Sequence, residues 1–319
     1  MTDSMRTVRF HEYGEPEEVL RLERAPVPEP QSGRIRVVVS AVGLAPADWA
    51  LCRGLFAGTL PRGIGCDVSG RVDAVGDGVT NVAVGDLVFG TADWANCSTA
   101  GASESAVMNR WFPLPVGLDP ALAAALPMTV DTAYRHLNWL GLEPGRSILI
   151  HGAGTTIGFA AVQMALLNGM RVIATAGDTY AQVLQDLGAQ VTPYGDGMVE
   201  RVADLHGGPV DLVLDTAPVG GVLPDLITIA GGDPQRVLTI SDFAAAGELG
   251  VRSSFSETPA QLVDVLPEFA RLAAEGRFHV PLAATYPLHG WRRALEISRS
   301  GAAHGKLVLL PQDGGEHAS

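Results

Sequence analysis

A run of apolar residues with one glycine-rich turn marks the middle of the chain, residues 147–169 (SILIHGAGTTIGFAAVQMALLNG). Its first part, Ile148 to Ile150, is continuously apolar, as expected of a parallel strand that is buried on both faces. Small and apolar residues follow the turn as far as Asn168 and Gly169, where a helix would end. The pattern predicts a strand, a tight turn and a helix.

The glycines of this turn suggest a phosphate site. Gly152 and Gly154 suit backbone angles that a Cβ forbids, and Gly158 suits close packing of the helix against the strand. Such packing brings the amides of the helix N-terminus to an anionic ligand. The spacing is GxGxxxG rather than GxGxxG, and any βα turn of a doubly wound sheet also favours glycine. The residues predicted to contact a dinucleotide are Gly152, Ala153, Gly154, Thr155, Thr156 and Ile157.

Further strands alternate with helical segments. Residues 171–175 predict the second strand, and the segments LGAQVTPY, VDLVLDTA, QRVLTISDF and ELGVRSSF predict the third to the sixth. Residues 258–276 predict a helix with Thr258 as its N-cap and Gly276 at its end. Strands that alternate with helices form parallel βαβ units, so this part of the chain predicts a doubly wound α/β sheet with its phosphate site at the first βα turn.

The pattern differs towards both ends of the chain. Short alternating runs separated by Gly, Pro and Asp extend from Arg6 to about Pro120, which is typical of an irregular antiparallel β domain. A helical pattern then begins at Asp119, a predicted N-cap. Near the C-terminus, HVPLAATYPL, WRRALEISRSG and GKLVLLP predict a strand, a helix and a strand that complete the β domain. The expected boundaries are 1–122 and 263–319 for the β domain and 123–262 for the parallel sheet.

Composition narrows the class of protein. The chain has 319 residues, enough for two domains, and its net charge of −13 argues against a nucleic-acid or anionic-membrane surface. No uninterrupted apolar segment reaches spanning length, and the first ten residues lack the apolar core of a signal peptide. Three cysteines, an odd and sparse set, argue against a disulfide framework. We expect a cytoplasmic protein that acts on a small molecule and binds neither nucleic acid nor membrane.

An ordered set of motifs covers nearly the whole chain. The motifs are PADW, GCDVSGRVDAVGDGV, VGDLVFG, LDPALAAALP, DTAYRHL, ILIHGAG, VQMA, LGA, DLVLDT and HGKLVL. In this order they resemble the medium-chain dehydrogenase/reductases, and more closely their zinc-independent quinone oxidoreductase branch. The resemblance implies a GroES-like catalytic domain formed from both chain ends, a Rossmann domain, a nicotinamide cofactor in a cleft and a homodimer.

The resemblance also bears on metal binding. Zinc-dependent relatives hold their catalytic zinc with residues that align here with Ala45, Cys66 and Met128, of which only the cysteine is a ligand type. Cys97 stands alone where such relatives have a structural zinc loop. We therefore expect no metal. Cys66 is then a buried small residue rather than a nucleophile, and Asp67, which aligns with an acid behind the zinc ligands, forms a salt bridge or hydrogen bond.

The end of the second predicted strand bears on the choice of cofactor. An acid there would bind the ribose 2′-hydroxyl of NADH, and a nearby basic residue would bind the 2′-phosphate of NADPH. Ala176 and Gly177 stand at this strand end and are neither, although Asp178 is close. Thr175 and Gly177 are predicted cofactor contacts. No Lys or Arg lies between residues 174 and 186. Tyr194 resembles the tyrosine with which this branch contacts the 2′-phosphate. We predict NADPH and leave NADH open.

Two polar side chains are candidates for the chemical step. Asp48 lies in the loop that aligns with the family's active-site loop, and is either a polar contact for the nicotinamide or substrate or a cap in the turn after Pro46. Thr132 matches a threonine that lies near the nicotinamide in this family, and its hydroxyl interrupts an apolar helix face. Neither is a compelling proton donor, and water is a third candidate.

Aromatic residues are candidates for the substrate pocket. Trp49, Trp94 and Phe255 would form flat walls for a quinone or enone, or else belong to the core. Trp94 is the best of the three, because the residues around it are polar and small.

The remaining predicted cofactor contacts lie at strand ends. Ser241, Asp242 and Phe243 end the fifth predicted strand, where an open α/β sheet places its ligand. Lys306 matches the family's closing Gly-Lys, with a solvated lysine as the alternative. His151, just before the glycine turn, is interpreted as a strand-end residue rather than a base.

Together these residues predict hydride transfer from NADPH to a quinone or an α,β-unsaturated carbonyl compound. Without a Lewis acid, alcohol oxidation is disfavoured and an acceptor that is already polarised is favoured. Two alternatives remain: zinc-free carbonyl or alcohol oxidoreduction, and a cofactor-binding sensor or structural dimer without turnover. The fifth and sixth strands would leave a sheet edge for pairing in a homodimer.

Overall fold

Fifteen strands lie within residues 4–257 and 264–312, the part of the chain that the computed structural model describes. In chain order they are β1 Ser4–Phe10, β2 Arg21–Pro26, β3 Ile35–Leu44, β4 Arg62–Gly63, β5 Asp67–Val75, β6 Leu87–Ala92, β7 Ser105–Pro113, β8 Ser147–His151, β9 Arg171–Thr175, β10 Gln190–Thr192, β11 Leu212–Asp215, β12 Val237–Thr239, β13 Arg252–Ser253, β14 Leu282–Pro287 and β15 Lys306–Leu310.

The α-helices of the same ranges are short to moderate in length. They are α1 Pro16–Val19, α2 Pro46–Cys52, α3 Pro120–Ala125, α4 Pro127–Leu140, α5 Thr156–Leu167, α6 Asp178–Asp186, α7 Met198–His206, α8 Leu223–Ile229, α9 Phe243–Leu249, α10 Leu266–Ala274 and α11 Trp291–Ser300. None of these helices is long and apolar enough to cross a membrane. The predicted N-cap Thr258 lies outside the described residues.

The chain divides into two units, Met1–Met128 with Leu266–Ser319, and Thr129–Val265. These divisions fall a few residues after the expected limits at 122 and 262. Each unit has its own sheet and its own apolar core.

β8 lies inside a parallel sheet of order β10-β9-β8-β11-β12-β13. Counted from β8, the order is 3-2-1-4-5-6, which is the Rossmann arrangement and confirms the predicted fold class. Every residue of β8 is buried, which explains its continuous apolar sequence. The strand order reverses at β8, so the turn that follows it lies where such sheets bind their ligand.

The sixth strand of this sheet is shorter than predicted. Only Arg252 and Ser253 form β13, because Glu248 and Leu249 belong to α9 and Gly250 ends that helix. Asp242 caps α9, and Gly250, with a φ of +72°, ends it. The segment ELGVRSSF is therefore the end of a helix followed by a two-residue edge strand.

β15 joins the C-terminal part of the chain to the N-terminal β domain. It pairs antiparallel with β3, with Leu307 opposite Leu44 and Leu309 opposite Val42. The resulting sheet has the order β14-β15-β3-β5-β6-β7, and β3 also pairs with β7. The prediction that both chain ends build one β domain is confirmed.

The helix predicted at Asp119 is also confirmed. The Asp119 side chain accepts a hydrogen bond from the Ala121 amide at 2.8 Å, and Pro120 is the first helical residue. Ser69 of β5 donates to the Pro120 carbonyl at 2.7 Å, which fixes α3 against the β domain.

Candidate active site

The turn between β8 and α5 excludes side chains at two positions. Gly152 has a φ of +76°, and a Cβ there would lie 2.6 Å from the Ala217 amide nitrogen. A Cβ on Gly158 would lie 2.4 Å from the Gly152 carbonyl oxygen. Glycine at 158 therefore allows the close approach of α5 to the turn that the sequence predicts.

Gly154 does not share these constraints. Its φ lies outside the left-handed region, and a Cβ would make an ordinary contact of 3.6 Å with Tyr180 Cδ2. The prediction that backbone angles require glycine at this position is wrong. Any requirement for glycine at 154 would have to come from a ligand that approaches the turn.

Backbone amides at the start of α5 are available to a ligand. Thr155 caps the helix, since its hydroxyl accepts the Gly158 amide at 3.0 Å and donates to the Thr216 hydroxyl at 3.2 Å. Three amides of this turn have no hydrogen-bond partner within the described residues: those of Gly154, Thr156 and Ile157. Unpaired amides at the positive end of a helix dipole suit a diphosphate.

His151 and Thr175, the last residues of β8 and β9, form a hydrogen bond with each other, and Thr175 also bonds to the turn. Thr175 Oγ1 lies 2.8 Å from His151 Nδ1 and accepts the Gly152 amide at 3.1 Å, while the Ala153 amide donates to the Thr175 carbonyl at 2.9 Å. Burial lowers the pKa of His151 to about 4, so its ring is neutral. His151 is thus a strand-end residue, and the fully buried Thr175 side chain holds the turn without presenting itself to a ligand.

Gly177 and Tyr194 come together at the carboxyl end of β9. Gly177 is the N-cap of α6, and a Cβ on it would lie 3.8 Å from the Tyr194 hydroxyl. Tyr194 is 62% exposed, so a ligand can reach this residue. This is the sheet edge where a Rossmann unit reads the adenosine ribose.

The residues after the fifth strand organise the local backbone. Ser241 Oγ donates to the Ala217 carbonyl at 2.5 Å, and Asp242 caps α9 while accepting the Gly221 amide at 2.9 Å. β12 ends at Thr239, so the prediction that Ser241 and Asp242 end the strand is wrong. Their contact with a cofactor stays a prediction.

Phe243 and Phe255 form an exposed aromatic pair in the parallel-sheet unit. Their ring centroids are 4.7 Å apart in an edge-to-face arrangement. Phe243 is 40% and Phe255 is 64% exposed. Both predicted contacts are therefore at the surface of this unit, and neither belongs to its core.

Asp215 is a buried carboxylate that sequence analysis did not single out. It ends β11, accepts the Thr239 hydroxyl at 2.8 Å and accepts the Ala217 amide at 3.1 Å. Burial raises its pKa to about 6. The one sequence signal was an acid that closes the apolar run VDLVLD, and its role is to shape the loop after β11.

Thr132 lies half-buried in α4, one turn before His136. The Thr132 carbonyl accepts from His136 Nδ1 at 2.6 Å, so Nε2 is the acceptor for the Ser254 hydroxyl, also at 2.6 Å. Burial lowers the pKa of His136 to about 4. The Thr132 hydroxyl has no partner within residues 4–257 and 264–312, which leaves it available to a ligand.

Asp48 has the contacts of a cap. Its Oδ2 accepts the Ala45 amide at 2.8 Å, and its Oδ1 accepts the Gly65 amide at 2.7 Å. The side chain is fully buried, and this burial raises its pKa. The hydrogen bonds support the cap interpretation, and a direct contact with the substrate stays a prediction that complete burial disfavours.

Trp49 has the burial of a core residue, and its contact with a substrate stays a prediction that this burial disfavours. It is 3% exposed and packs in the apolar cluster of the β domain. Its Nε1 donates to Ser298 Oγ, in the last turn of α11, at 2.8 Å, which satisfies the hydrogen-bond donor of the indole.

Trp94, by contrast, is part of a surface aromatic cluster. Its ring centroid lies 6.1 Å from that of Phe56 and 5.4 Å from the guanidinium carbon of Arg62. Phe56 is 59% exposed and has a φ of +52°, which is rare for a bulky residue. The buried Arg62 donates to the Phe56 carbonyl at 2.7 Å. Phe56 and Arg62 were not predicted from the sequence, because this stretch of the chain has no periodic pattern.

A buried ion pair joins Lys306 to Asp67, the residue next to Cys66. Lys306 Nζ is 2.9 Å from Asp67 Oδ2, and Asp67 Oδ1 accepts the Met128 amide at 3.1 Å. The salt bridge predicted for Asp67 is confirmed, and the solvated interpretation of Lys306 is wrong. Burial and the Asp48 carboxylate raise the pKa of the Cys66 thiol well above its usual value, as expected of a buried small residue.

Two family descriptions match the chain. Residues 31–125 match the alcohol dehydrogenase GroES-like domain, and residues 187–309 match the zinc-binding dehydrogenase domain. The quinone oxidoreductase of Rattus norvegicus is 30% identical over 329 residues, which cover 96% of this chain and 98% of the relative. That of Mus musculus is 32% identical, with the same coverage of both chains.

Solved structures agree with the sequence relatives. The quinone oxidoreductase from Coxiella burnetii superposes with a TM-score of 0.80 at 27% identity, covering 97% of this chain and 100% of the other. The Escherichia coli quinone oxidoreductase, solved in complex with NADPH, gives a TM-score of 0.79 at 26% identity, with coverage of 96% and 100%. The chain therefore belongs to the quinone oxidoreductase-like branch of the medium-chain dehydrogenase/reductase superfamily.

Proposed function

We propose that this chain is a zinc-independent oxidoreductase that uses NADPH to reduce a quinone or another α,β-unsaturated carbonyl compound. The observation that carries the proposal is the glycine turn after β8, where glycines leave the backbone uncovered by side chains and amides have no hydrogen-bond partner in the described residues. Gly152 and Gly158 exclude side chains, and the amides of Thr156 and Ile157 have no partner in the described residues. A dinucleotide diphosphate fits such a cradle, and the NADPH complex of the Escherichia coli relative supports this choice of ligand.

Zinc independence is supported by the chemistry of three positions. Ala45 and Met128 are not zinc ligands, so Cys66 is the one ligand type among these positions, whereas a catalytic zinc needs three protein ligands. A lysine ammonium already compensates the neighbouring Asp67. Within the described ranges, no group of three or more His, Cys, Asp or Glu side chains could hold a metal ion.

The type of acceptor follows from this metal-free chemistry. When bound, the reduced nicotinamide supplies the hydride, and the chain must bind and orient the acceptor. An acceptor that is already conjugated and polarised does not need a Lewis acid. Trp94 and Phe56 offer a partly exposed aromatic wall for a flat conjugated ring. Within the parallel-sheet unit, the Thr132 hydroxyl, which has no partner in the described residues, is a candidate hydrogen-bond donor to a bound ligand.

The proposal is tested on the purified protein. NADPH and NADH are titrated by cofactor fluorescence, and oxidation is then followed with quinones, enones and aldehydes, before and after dialysis against a chelator. We expect turnover with quinones or enones that survives the chelator in protein with substoichiometric zinc. Turnover with aldehydes alone would favour carbonyl reduction, and binding without any oxidation would favour the sensor. Loss of activity on chelation, restored by zinc, would contradict zinc independence.

A homodimer is part of the proposal. β13 is the outer strand of the parallel sheet in the described residues, and the exposed Phe243 and Phe255 lie in the segments next to it. An edge strand flanked by apolar side chains is a surface that a second copy could cover. Light scattering at micromolar concentration should give twice the mass of the chain, and a monomeric mass would refute the dimer.

A further inference from the structure

We propose that Arg201 recognises the 2′-phosphate of NADPH. This inference rests on the proposed function, because it names the residue that makes the cofactor site selective. No Lys or Arg lies between residues 174 and 186, whereas Arg201 lies two elements after α6, in α7.

Arg201 holds the turn that carries Tyr194. Its Nε donates to Thr192 Oγ1 at 3.0 Å, its Nη2 to the Pro193 carbonyl at 2.9 Å and its Nη1 to the Asp196 carbonyl at 2.6 Å. These acceptors lie on both sides of Tyr194 in sequence. The guanidinium is therefore fixed against the backbone of this turn.

The guanidinium of Arg201 binds only uncharged groups in the described part of the chain. All three of its acceptors are neutral, and no carboxylate in the described part of the chain forms an ion pair with it. Other arginines of this acidic chain do form such pairs; Arg252, for example, binds both carboxylate oxygens of Glu257. A guanidinium has five N–H donors, so two remain after the three bonds of Arg201. A fixed cation with two free donors matches a phosphate group.

The turn lies at the sheet edge where the ribose is read. β10 runs parallel to β9, with Thr192 opposite Thr175, so the residues after both strands lie at one edge. There the Tyr194 hydroxyl is 3.8 Å from the position of a Cβ on Gly177. In a Rossmann unit, a basic residue near this strand end accommodates the 2′-phosphate.

An acid at the same edge would have the opposite effect. Asp178 is the first residue of α6 and is exposed, so its carboxylate could accept the 2′-hydroxyl of NADH and would repel a phosphate. Selectivity then depends on the balance between Arg201 and Asp178, and Arg201 is the member with free donors for the anion.

The experiment measures binding rather than turnover. The dissociation constants of NADPH, NADH and adenosine 2′,5′-bisphosphate are determined by calorimetry for the wild type, Arg201→Met and Arg201→Lys. Arg236→Met serves as the matched control. Arg236 immediately precedes β12 and so lies at the amino ends of the parallel strands, whereas Arg201 lies near their carboxyl ends. Thermal unfolding of each variant reports on the integrity of the turn.

We expect wild type to bind NADPH more tightly than NADH. Arg201→Met should weaken NADPH and the bisphosphate about tenfold or more and leave NADH nearly unchanged, since the lost contact is to a charged group. Arg201→Lys should retain part of the preference, and Arg236→Met all of it.

Equal weakening of NADPH and NADH in Arg201→Met would overturn the inference, because Arg201 would then only support the turn. Unchanged NADPH binding would overturn it as well. A wild type that binds both dinucleotides equally would refute Arg201 as a selector while leaving hydride transfer intact. A wild type that binds neither would refute the proposed function itself.

Discussion

Lys306 Nζ lies 2.9 Å from Asp67 Oδ2, and the two side chains are only 4% and 2% exposed. Burial raises the pKa of Asp67 to about 6, while the charge of Lys306 and its hydrogen bond act in the opposite direction. The carboxylate is thus ionised at neutral pH and paired with an ammonium that water does not reach. Because each charge is the other's compensation, removing either one leaves an uncompensated charge in the core of the β domain.

We predict that Lys306→Met and Asp67→Asn each lower the free energy of unfolding by about 3–5 kcal/mol, the cost of breaking a buried pair. The double variant should lose less than the sum, because it leaves no buried charge. Urea unfolding at neutral pH measures all three. Arg293→Met is the control, since Arg293 forms an exposed ion pair with Glu296 and should cost less than about 1 kcal/mol. Additive losses in the double variant would contradict the coupling.

Gly158 and Gly154 should respond differently to alanine. A Cβ at 158 would meet the Gly152 carbonyl oxygen at 2.4 Å and Thr216 Oγ1 at 2.6 Å, so Gly158→Ala should cost about 1–3 kcal/mol and weaken dinucleotide binding. A Cβ at 154 would make only an ordinary van der Waals contact, so Gly154→Ala should have nearly the free energy of unfolding of wild type. It should still weaken NADPH binding if the diphosphate approaches this backbone.

Thermal unfolding and cofactor titration separate the two effects. Equal stability of Gly158→Ala and wild type would contradict the packing argument. Full cofactor affinity in Gly154→Ala would show that the ligand does not approach the turn at that point.

The fold was predictable where burial dictates sequence. β8 has no exposed face, so its apolar run identified a parallel strand, and the glycine at 158 identified the close approach of α5. β13 was predicted too long because ELGVRSSF has an alternating pattern, whereas Asp242 and Gly250 fix the ends of a helix over its first part. The capping residues at its two ends fix the extent of this helix, which the hydrophobic pattern alone could not predict.

The candidate site was less predictable because its contacts are distant in sequence. The partner of Trp49 is Ser298, 249 residues away, and this contact places the indole in the core. Phe56 was missed because its exposure follows from a positive φ and a hydrogen bond to Arg62, neither of which has a sequence pattern. Lys306 could not be distinguished from a solvated lysine until its pairing with Asp67 was seen.

His136 should make stability depend on pH. Burial lowers its folded pKa to about 4, below the ordinary value of 6.5, so the unfolded chain takes up the proton first as the pH falls. The contribution of His136 to the free energy of unfolding is complete above pH 6.5. It is lost as the pH falls towards 4, at up to about 1.4 kcal/mol per pH unit. Asp67 and Asp215, whose pKa values are raised to about 6, act oppositely between about pH 4 and 6.

The difference between variants isolates this residue. Urea unfolding at pH 7 and pH 5 measures how much of the free energy of unfolding is lost on acidification. His136→Gln should lose less than wild type, by up to about 1.4 kcal/mol per pH unit. Ser254→Ala removes the hydroxyl that bonds Nε2 but keeps the titrating ring, so its slope should match wild type. A wild-type slope in His136→Gln would show that the buried ring does not titrate as argued.

Trp94 and Phe56 should act on acceptor binding rather than on hydride transfer. Trp94→Ala and Phe56→Ala are each expected to raise the KM for a quinone about 2- to 10-fold with little change in kcat, since one aromatic contact is worth about 0.5–1.5 kcal/mol. Phe112→Leu is the matched control: it also removes a ring that lies beneath an arginine in the β domain, here 5.2 Å from Arg110. Steady-state kinetics at saturating NADPH measure these effects. A fall in kcat at constant KM, or an equal effect of Phe112→Leu, would mean that the exposed cluster is not where the acceptor binds.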